Sequence, residues 1–376
     1  MPSLAKSLEA LSPAFKAKLA GRHFDPKRLE EWAGRVGRTS VDANRVTGVV
    51  EPPRPEDVTP SPASATAEGA AAVERGRAAI ARGEVAFVVL AGGMATRMGG
   101  VVKGLLEALP GLTFLGYRVR EIDVLRERFG GRVPLWLMTS YATSEPIDKA
   151  IAGLGDGREI ATFEQDLSLR LTPSGDLFKG DDGLPSIYAT GHGDLPDALK
   201  RSGLLDAFIA RGGRAVWIAN IDNLGATVDP ALLGWHLGHG SALSVEVVEK
   251  VGADKGGIPA RLDGRAVILE EFRLPKGFDA TRVRTFNTNT LLVDARALRD
   301  ARVDWTYFEV RKKVGEREAV QFERLVGELT SALDTKFVKV PREGLATRFL
   351  PVKDGPELEA RRSEIFGIAR DRGIIA

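Results

Sequence analysis

The sequence contains no cysteine. That excludes disulfides, thiolate metal centres and a cysteine nucleophile, and it fits a reducing compartment. Surplus charge is also missing, since 53 Lys and Arg stand against 51 Asp and Glu. No net field therefore draws the chain to nucleic acid or an anionic membrane, and a phosphorylated ligand must be held by a few placed cations. No apolar run approaches the roughly 20 residues of a membrane span. The stretch MPSLAKSLEALSPAFKAKL alternates charged with apolar residues and lacks the apolar core of a signal peptide. Two nucleotide fingerprints are absent as well, the P-loop G-x-x-x-x-G-K-[ST] and the dinucleotide G-x-G-x-x-G. No internal repeat is found. The expectation is a cytoplasmic protein, a monomer or small oligomer, without nucleic-acid or membrane partners.

What is present is an ordinary globular composition, 43% apolar and 28% charged over 376 residues. That length exceeds what one hydrophobic core usually absorbs. Residues 1–66 read as short polar helices followed by a proline-rich linker, EPPRPEDVTPSPASAT. Residues 67–340 read as a central domain in which buried strands alternate with helices. Val85–Leu90, Val133–Met138 and Ala215–Ala219 are apolar runs of the kind buried on both faces of a parallel sheet. Helices are expected over 67–82, 115–129, 194–211 (with a break at Ser202-Gly203) and 232–237. An antiparallel insertion is expected around 241–285, from strands at 242–251, 260–262 and 267–272 with a turn at Asp263-Gly264. Residues 341–376 form a short C-terminal segment. The fold class is therefore α/β, a doubly wound, mostly parallel, Rossmann-like sheet with an antiparallel insertion and a small helical N-terminal part.

The chemistry-bearing residues cluster at the expected ends of strands. After Val85–Leu90 come Ala91, Gly92 and Gly93, whose backbone amides are open to a phosphate or a flat base, with Arg97 and Lys103 as cations further on. Gly191-His192-Gly193-Asp194 frames a histidine with glycines before a helix start, with Asp194 as the N-cap. Asp222 follows a buried strand, where a carboxylate caps a helix, pairs, or binds a hard cation such as Mg²⁺. Asn287 and Asn289 lie at the mouth of the strand Leu291–Val293 and offer both donors and acceptors, as sugar hydroxyls require; Glu270 is an acceptor nearby. Lys353 follows the turn Arg348–Val352. His236 and His239 have helical i, i+3 spacing and read as a helix surface rather than a metal site.

Taken together these segments resemble the UTP–glucose-1-phosphate uridylyltransferase (UDP-glucose pyrophosphorylase) family, from about Val85 to Leu358. In the family's order they are the glycine-rich loop, Leu112–Leu115, Thr162–Gln165, Gly191–Asp194, Ser202–Asp206, Asn220–Asp229, Phe286–Asn289 and Phe349–Lys353. The resemblance implies a nucleotidyltransferase that joins UTP and glucose 1-phosphate into UDP-glucose and pyrophosphate with Mg²⁺. It implies that Leu90, Ala91, Gly92 and Gly93 wrap the nucleotide, Gln165 reads the uracil and Gly191 lies against the base. His192 would contact the sugar phosphate, and Asn220, Glu270, Asn287 and Asn289 would hold the sugar. Asp222 would bind nucleotide-bound Mg²⁺, while Lys103, Lys353 and Arg97 supply positive charge. The nearest alternatives are the same reaction on N-acetylglucosamine or galactose 1-phosphate, and a silent paralogue that binds a UDP-sugar. Three departures stand out: the loop reaches Lys103 without the family's Gly-Pro-Lys step, Arg97 replaces a small residue, and Ala189-Thr190 replace paired prolines. The sequence ends at Ala376, soon after Lys353, so the family's C-terminal β-helix domain and assembly through it are not expected.

Overall fold

A computed structural model describes residues 4–37, 44–95, 100–154, 158–252, 254 and 256–376. Its centre is an eight-stranded sheet. In chain order the strands are β1 (Val58–Pro60), β2 (Val85–Leu90), β3 (Leu135–Thr139), β4 (Ile160–Glu164), β5 (Ala215–Asn220), β6 (Leu243–Glu249), β7 (Thr285–Asp294) and β8 (Thr335–Lys339). Across the sheet they lie in the order β1-β8-β6-β7-β5-β2-β3-β4. Every strand but β7 runs the same way; β7 is antiparallel to both of its neighbours, β5 and β6.

Alternation explains why the central strands are apolar throughout. Successive strand residues point to opposite faces, and here each face has its own core. Phe87, Val89, Trp217 and Ala219 pack with Ile80, Leu115, Ile122, Leu232 and Ile365 on one side. Val88, Leu90, Val216 and Ile218 pack with Leu195, Leu199, Phe208 and Leu298 on the other. The helices behind these contacts include Ala67–Ala81, Phe114–Phe129, Pro230–His239 and Gly355–Asp371 on the first face, and Leu195–Arg201 and Leu204–Ala210 on the second. The expected break at Ser202-Gly203 falls between the last two, where Gly203 adopts φ +75°.

Two sequence expectations need correction. The stretch read as a linker, 51–66, is tied into the fold: Val50–Glu51 pairs with the hairpin Gly257–Leu262/Arg265–Glu270, and β1 is the edge strand beside β8. Strands of two and three residues are too short for any periodicity to reveal them. Residues 242–251 are not part of the insertion either, because β6 belongs to the main sheet and the hairpin begins only after it. Its turn is at Asp263-Gly264 as expected, with both residues at positive φ (48° and 81°). A second ribbon was not foreseen, Phe308–Val314 with Arg317–Glu323. Trp32 of the N-terminal helix Pro26–Arg35 stacks on its Phe322, ring centroids 5.1 Å apart, so the N-terminal helices cover this ribbon.

Candidate active site

The carboxyl ends of β2 and β5 lie side by side, with Leu90 in register with Asn220. Open α/β sheets bind ligands at this edge. A cleft of about 390 Å³ opens there, lined by Leu90, Gly92, Gly93, Lys103, Gln165, Gly191, His192, Asn220 and Asp222, together with Met94, Met138, Ala189, Ile221 and Glu323. The structure thus gathers nine of the residues singled out from the sequence into one cavity. Ala91 is not among them: it is buried, and its amide is donated to the Met138 carbonyl at 2.8 Å. The Leu90 carbonyl is likewise engaged, accepting from the Ile221 amide at 3.2 Å. Backbone groups for a ligand therefore come from Gly92 and Gly93 rather than from all four positions. Arg97 lies outside the described residues.

The glycine-rich turn folds back on itself, Met94–Ala95 pairing with Val101–Val102. This brings Lys103 across to Asp222, Nζ to Oδ2 at 2.5 Å, with both side chains only part-exposed. Asp222 does not cap a helix. Its own carbonyl accepts from the Val352 amide at 3.1 Å, so the segment carrying Lys353 is bonded directly to the Asp222 turn. Gly225 allows this approach, since a Cβ there would lie 2.6–2.9 Å from the backbone of Arg348–Leu350. The Lys353 side chain is exposed and outside the cleft; its charge is felt by Asp254.

The opposite wall is built on His192. Its Nδ1 accepts the Val326 amide at 2.9 Å. A backbone N–H can only donate, so Nδ1 is unprotonated and Nε2 carries the hydrogen. Burial pushes the imidazole pKa down to about 4, leaving a neutral donor at physiological pH. The flanking glycines are dictated by Arg324, whose backbone passes so close that a Cβ at Gly191 or Gly193 would lie 2.5 or 2.7 Å from it. Asp194 holds the expected N-cap position of Leu195–Arg201, but its side chain does not cap the helix: it is fully buried and accepts from Arg324 Nε at 2.5 Å, Thr190 Oγ1 at 2.7 Å and the Asp166 amide at 3.0 Å. Arg324 also reaches Asp166 and Asp197. Burial raises the Asp194 pKa to about 6 against the pull of Arg324. Asp166 follows directly on Gln165, so a single guanidinium ties the Gln165 strand end to the His192 turn. Over Gly92 the Gln165 amide leaves no room for a side chain, a Cβ there falling 2.4 Å from Oε1.

The reversed direction of β7 is what brings its asparagines to this edge. A strand running with its neighbours would present its last residues there; β7 presents its first. Asn289 sits at φ +58°, a conformation asparagine tolerates, and donates from Nδ2 to Asn220 Oδ1 at 3.1 Å. Asn287 accepts the Asn289 amide on Oδ1 at 2.9 Å. Glu270 and Asn287 converge over Gly257, where a Cβ would lie 3.0 Å from Glu270 Oε1 and 3.1 Å from Asn287 Nδ2. Burial raises the Glu270 pKa to about 7. These three residues adjoin the cleft through Asn220 and do not line it.

Sequence reasoning missed Arg324, Asp166 and Glu323. Only the position of Asp166 next to Gln165 offered a signal. The histidine pair was misplaced: His236 is buried, and His236 Nδ1 and His239 Nε2 both bond Ser244 Oγ at 2.8 Å. Among the described residues no group of three or more His, Asp or Glu is placed to hold a metal ion by itself, and no helix is long and apolar enough to cross a membrane.

The family model for UTP–glucose-1-phosphate uridylyltransferase matches residues 48–375. Among curated relatives, proteins of that name from Musa acuminata and Saccharomyces cerevisiae are 34% and 33% identical over 301 residues, each covering 75% of this chain. The matched parts amount to 63% and 60% of those proteins, so the chain spans about three fifths of their length. Among solved structures, a uridine diphosphate N-acetylglucosamine pyrophosphorylase from Trypanosoma brucei superposes with TM-score 0.74 at 19% identity, covering 96% of this chain and 81% of that one. A UDP-glucose phosphorylase from the same organism gives 0.70 at 23% identity, covering 92% and 77%. At these identities the structures speak to the shared fold.

Proposed function

Since this chain belongs to the UTP–glucose-1-phosphate uridylyltransferase family, we propose that it transfers a uridylyl group from UTP to glucose 1-phosphate, releasing pyrophosphate. The observation that carries this reading is the cleft itself, where the Lys103–Asp222 pair faces a neutral histidine donor and a glutamine-capped glycine turn. In the reaction an oxygen of the sugar phosphate bonds to the α-phosphorus as the bond from that phosphorus to the pyrophosphate oxygen breaks. The nucleophile is already an anion, so no strong base is needed. The obstacle is repulsion between anions, met by positioning and charge neutralisation.

Gln165 and Gly191 take the uracil, and the Gly92 and Gly93 amides take the nucleotide phosphates. His192 donates from Nε2 to the sugar phosphate, while Asn220, Asn289, Asn287 and Glu270 receive the sugar hydroxyls. Lys103 neutralises phosphate charge from the glycine-rich turn, Lys353 from the segment bonded to Asp222, and Arg97 completes the cationic set. The residues present suit Mg²⁺: one accessible carboxylate, Asp222, is what that ion takes when substrate phosphates supply the remaining ligands. When bound, it would add Lewis-acid neutralisation of the phosphate oxygens.

Pyrophosphate release measured over a panel of nucleotides and sugar 1-phosphates, with and without Mg²⁺, tests the reading. Fastest release with UTP and glucose 1-phosphate, dependent on Mg²⁺, is expected. Preference for N-acetylglucosamine or galactose 1-phosphate would move the assignment to another sugar. No release with any pair would overturn it in favour of a silent UDP-sugar binder.

A further inference from the structure

The turn that carries Asp222 runs from Ile221 to Val228 with no helix or strand of its own, yet most of it is buried: Asn223 is 1% exposed, and Leu224 and Ala226 are fully buried. A buried, irregular backbone leaves carbonyl oxygens that must find donors inside the protein. Here the donors are three arginines from three separate parts of the chain. Arg118, on the helix Phe114–Phe129, donates to the carbonyls of Asn220 (3.3 Å), Asn223 (2.5 Å) and Ala226 (2.7 Å). Arg372, just past the C-terminal helix, donates to Leu224 (3.0 Å) and Gly225 (2.8 Å). Arg348 donates to Thr227 at 2.7 Å. All but Val228 of the carbonyls from Asn223 onwards are thus gripped from behind by guanidinium groups.

We infer that Arg118, Arg348 and Arg372 are the positioning residues of the reaction, holding the Asp222 turn from behind; this rests on the nucleotidyl-transfer reading above. None of the three lines the cleft. Their charge accounts differ. Arg118 is paired with Glu121 at 2.8 Å, and Arg348 is held by both oxygens of the buried Glu246 at 2.6 and 2.7 Å. Arg372 makes no ion pair at contact distance among the described residues; besides the turn its guanidinium donates to the Thr347 carbonyl, at 2.9 Å. The guanidinium is half-buried, and Glu121 offsets its charge only from beyond ion-pair distance, so burial lowers its pKa. Its two bonds flank the point where Gly225 is crossed by Arg348–Leu350. Arg372 therefore locks the Asp222 turn and the Lys353 segment together. The planar fork matters because one guanidinium spans two or three carbonyls, which an ammonium cannot do in fixed geometry.

Arg372→Ala and Arg372→Lys, beside the exposed Arg370→Ala as control, test the inference in the full chain. Displacing a catalytic group by about 1 Å costs on the order of 10²-fold in rate. Arg372→Ala is therefore expected to lower kcat by about that factor, with a several-fold higher Mg²⁺ concentration at half-saturation and little change in KM for UTP. Arg372→Lys should recover part of the loss, and it is the variant to read if Arg372→Ala does not fold. Amide hydrogen exchange in the unliganded protein should quicken at 222–226 in either variant. Wild-type kcat and Mg²⁺ dependence in folded Arg372→Ala, with a lower melting temperature alone, would overturn the positioning role. If the wild type releases no pyrophosphate with any pair, the proposed reaction falls, and exchange at 222–226 still decides whether Arg372 holds the turn.

Discussion

The two walls of the cleft are fastened by opposite chemistry. Behind His192, Arg324 is surrounded by the carboxylates of Asp166, Asp194 and Asp197. Behind Asp222, arginines grip main-chain carbonyls, and Arg372 does so with no ion pair at contact distance among the described residues. The first arrangement holds two side-chain turns together through groups that titrate. The second holds a backbone in place through bonds to carbonyls, which carry no titrating proton. One wall is thus a joint whose strength follows protonation, and the other is a fixed frame for the charge-bearing side of the site.

The heaviest loss should come from unfastening the first wall. Removing one partner of a buried ion pair leaves an uncompensated charge and costs about 3–5 kcal/mol. Arg324→Ala strands the fully buried Asp194, while Asp166 keeps Arg201, so urea unfolding should show a loss in that range. Arg324→Lys should recover only part of it, because an ammonium cannot bridge three carboxylates in fixed geometry. Full stability in Arg324→Ala would mean that the carboxylates are neutral in the native protein and that the joint is not ionic.

Next in size is the chemistry on the second wall. Lys103→Ala should reduce turnover by about 10²–10³-fold, the loss typical of one preorganised charge donor at a transition state, or ~2.7–4 kcal/mol. Lys353→Ala should lower turnover far more than it weakens UTP binding. Comparable turnover in that variant, measured as initial pyrophosphate release, would remove Lys353 from the mechanism.

These contrasts also mark what a sequence can disclose. Strands β2 and β5 were legible because burial on both faces writes a continuous apolar run, and the turns after them follow from the strands. Gly191 and Gly193 were visible as a frame for His192, but their cause, the passage of Arg324 more than a hundred residues away in the chain, was not. Periodicity reports which face is buried and never which distant residue meets it. The same limit hid the three arginines, which in sequence look like ordinary surface cations. The reversed direction of β7 was equally unreadable, since Leu291–Val293 is apolar in either direction, yet that reversal alone puts Asn289 against Asn220.

A smaller effect concerns the sugar side. Burial holds Glu270 protonated below about pH 7 and leaves it an anionic acceptor above. Affinity for the sugar phosphate should therefore rise as pH passes upward through 7. The phosphate monoester of the substrate titrates near 6, so the informative quantity is the difference between wild type and Glu270→Gln. A several-fold change in KM across pH 6–8 that Glu270→Gln abolishes is expected. An identical profile in both proteins would detach Glu270 from the sugar.

The two walls should also differ, by a smaller margin, in their response to acid. The His192 pKa is pushed from 6.5 to about 4 by burial, so the native protein keeps this ring neutral where the unfolded chain takes up a proton. The sign follows from linkage: the stability this group contributes is present above pH 6.5 and is lost as pH falls from there towards 4, at no more than about 1.4 kcal/mol per pH unit. Asp194 acts in the reverse sense, because its raised pKa makes the native state the better proton acceptor between about 6 and 3.8. Chemical unfolding of His192→Gln at several pH values should therefore show a shallower acid loss than wild type. Asp194→Asn, once its lower overall stability is subtracted, should show a steeper one. Arg372→Gln breaks bonds to carbonyls only and acts on Glu246 through its field alone, so its slope should change far less than that of His192→Gln. A change of slope in Arg372→Gln equal to that in His192→Gln would mean that the two walls are one electrostatic unit.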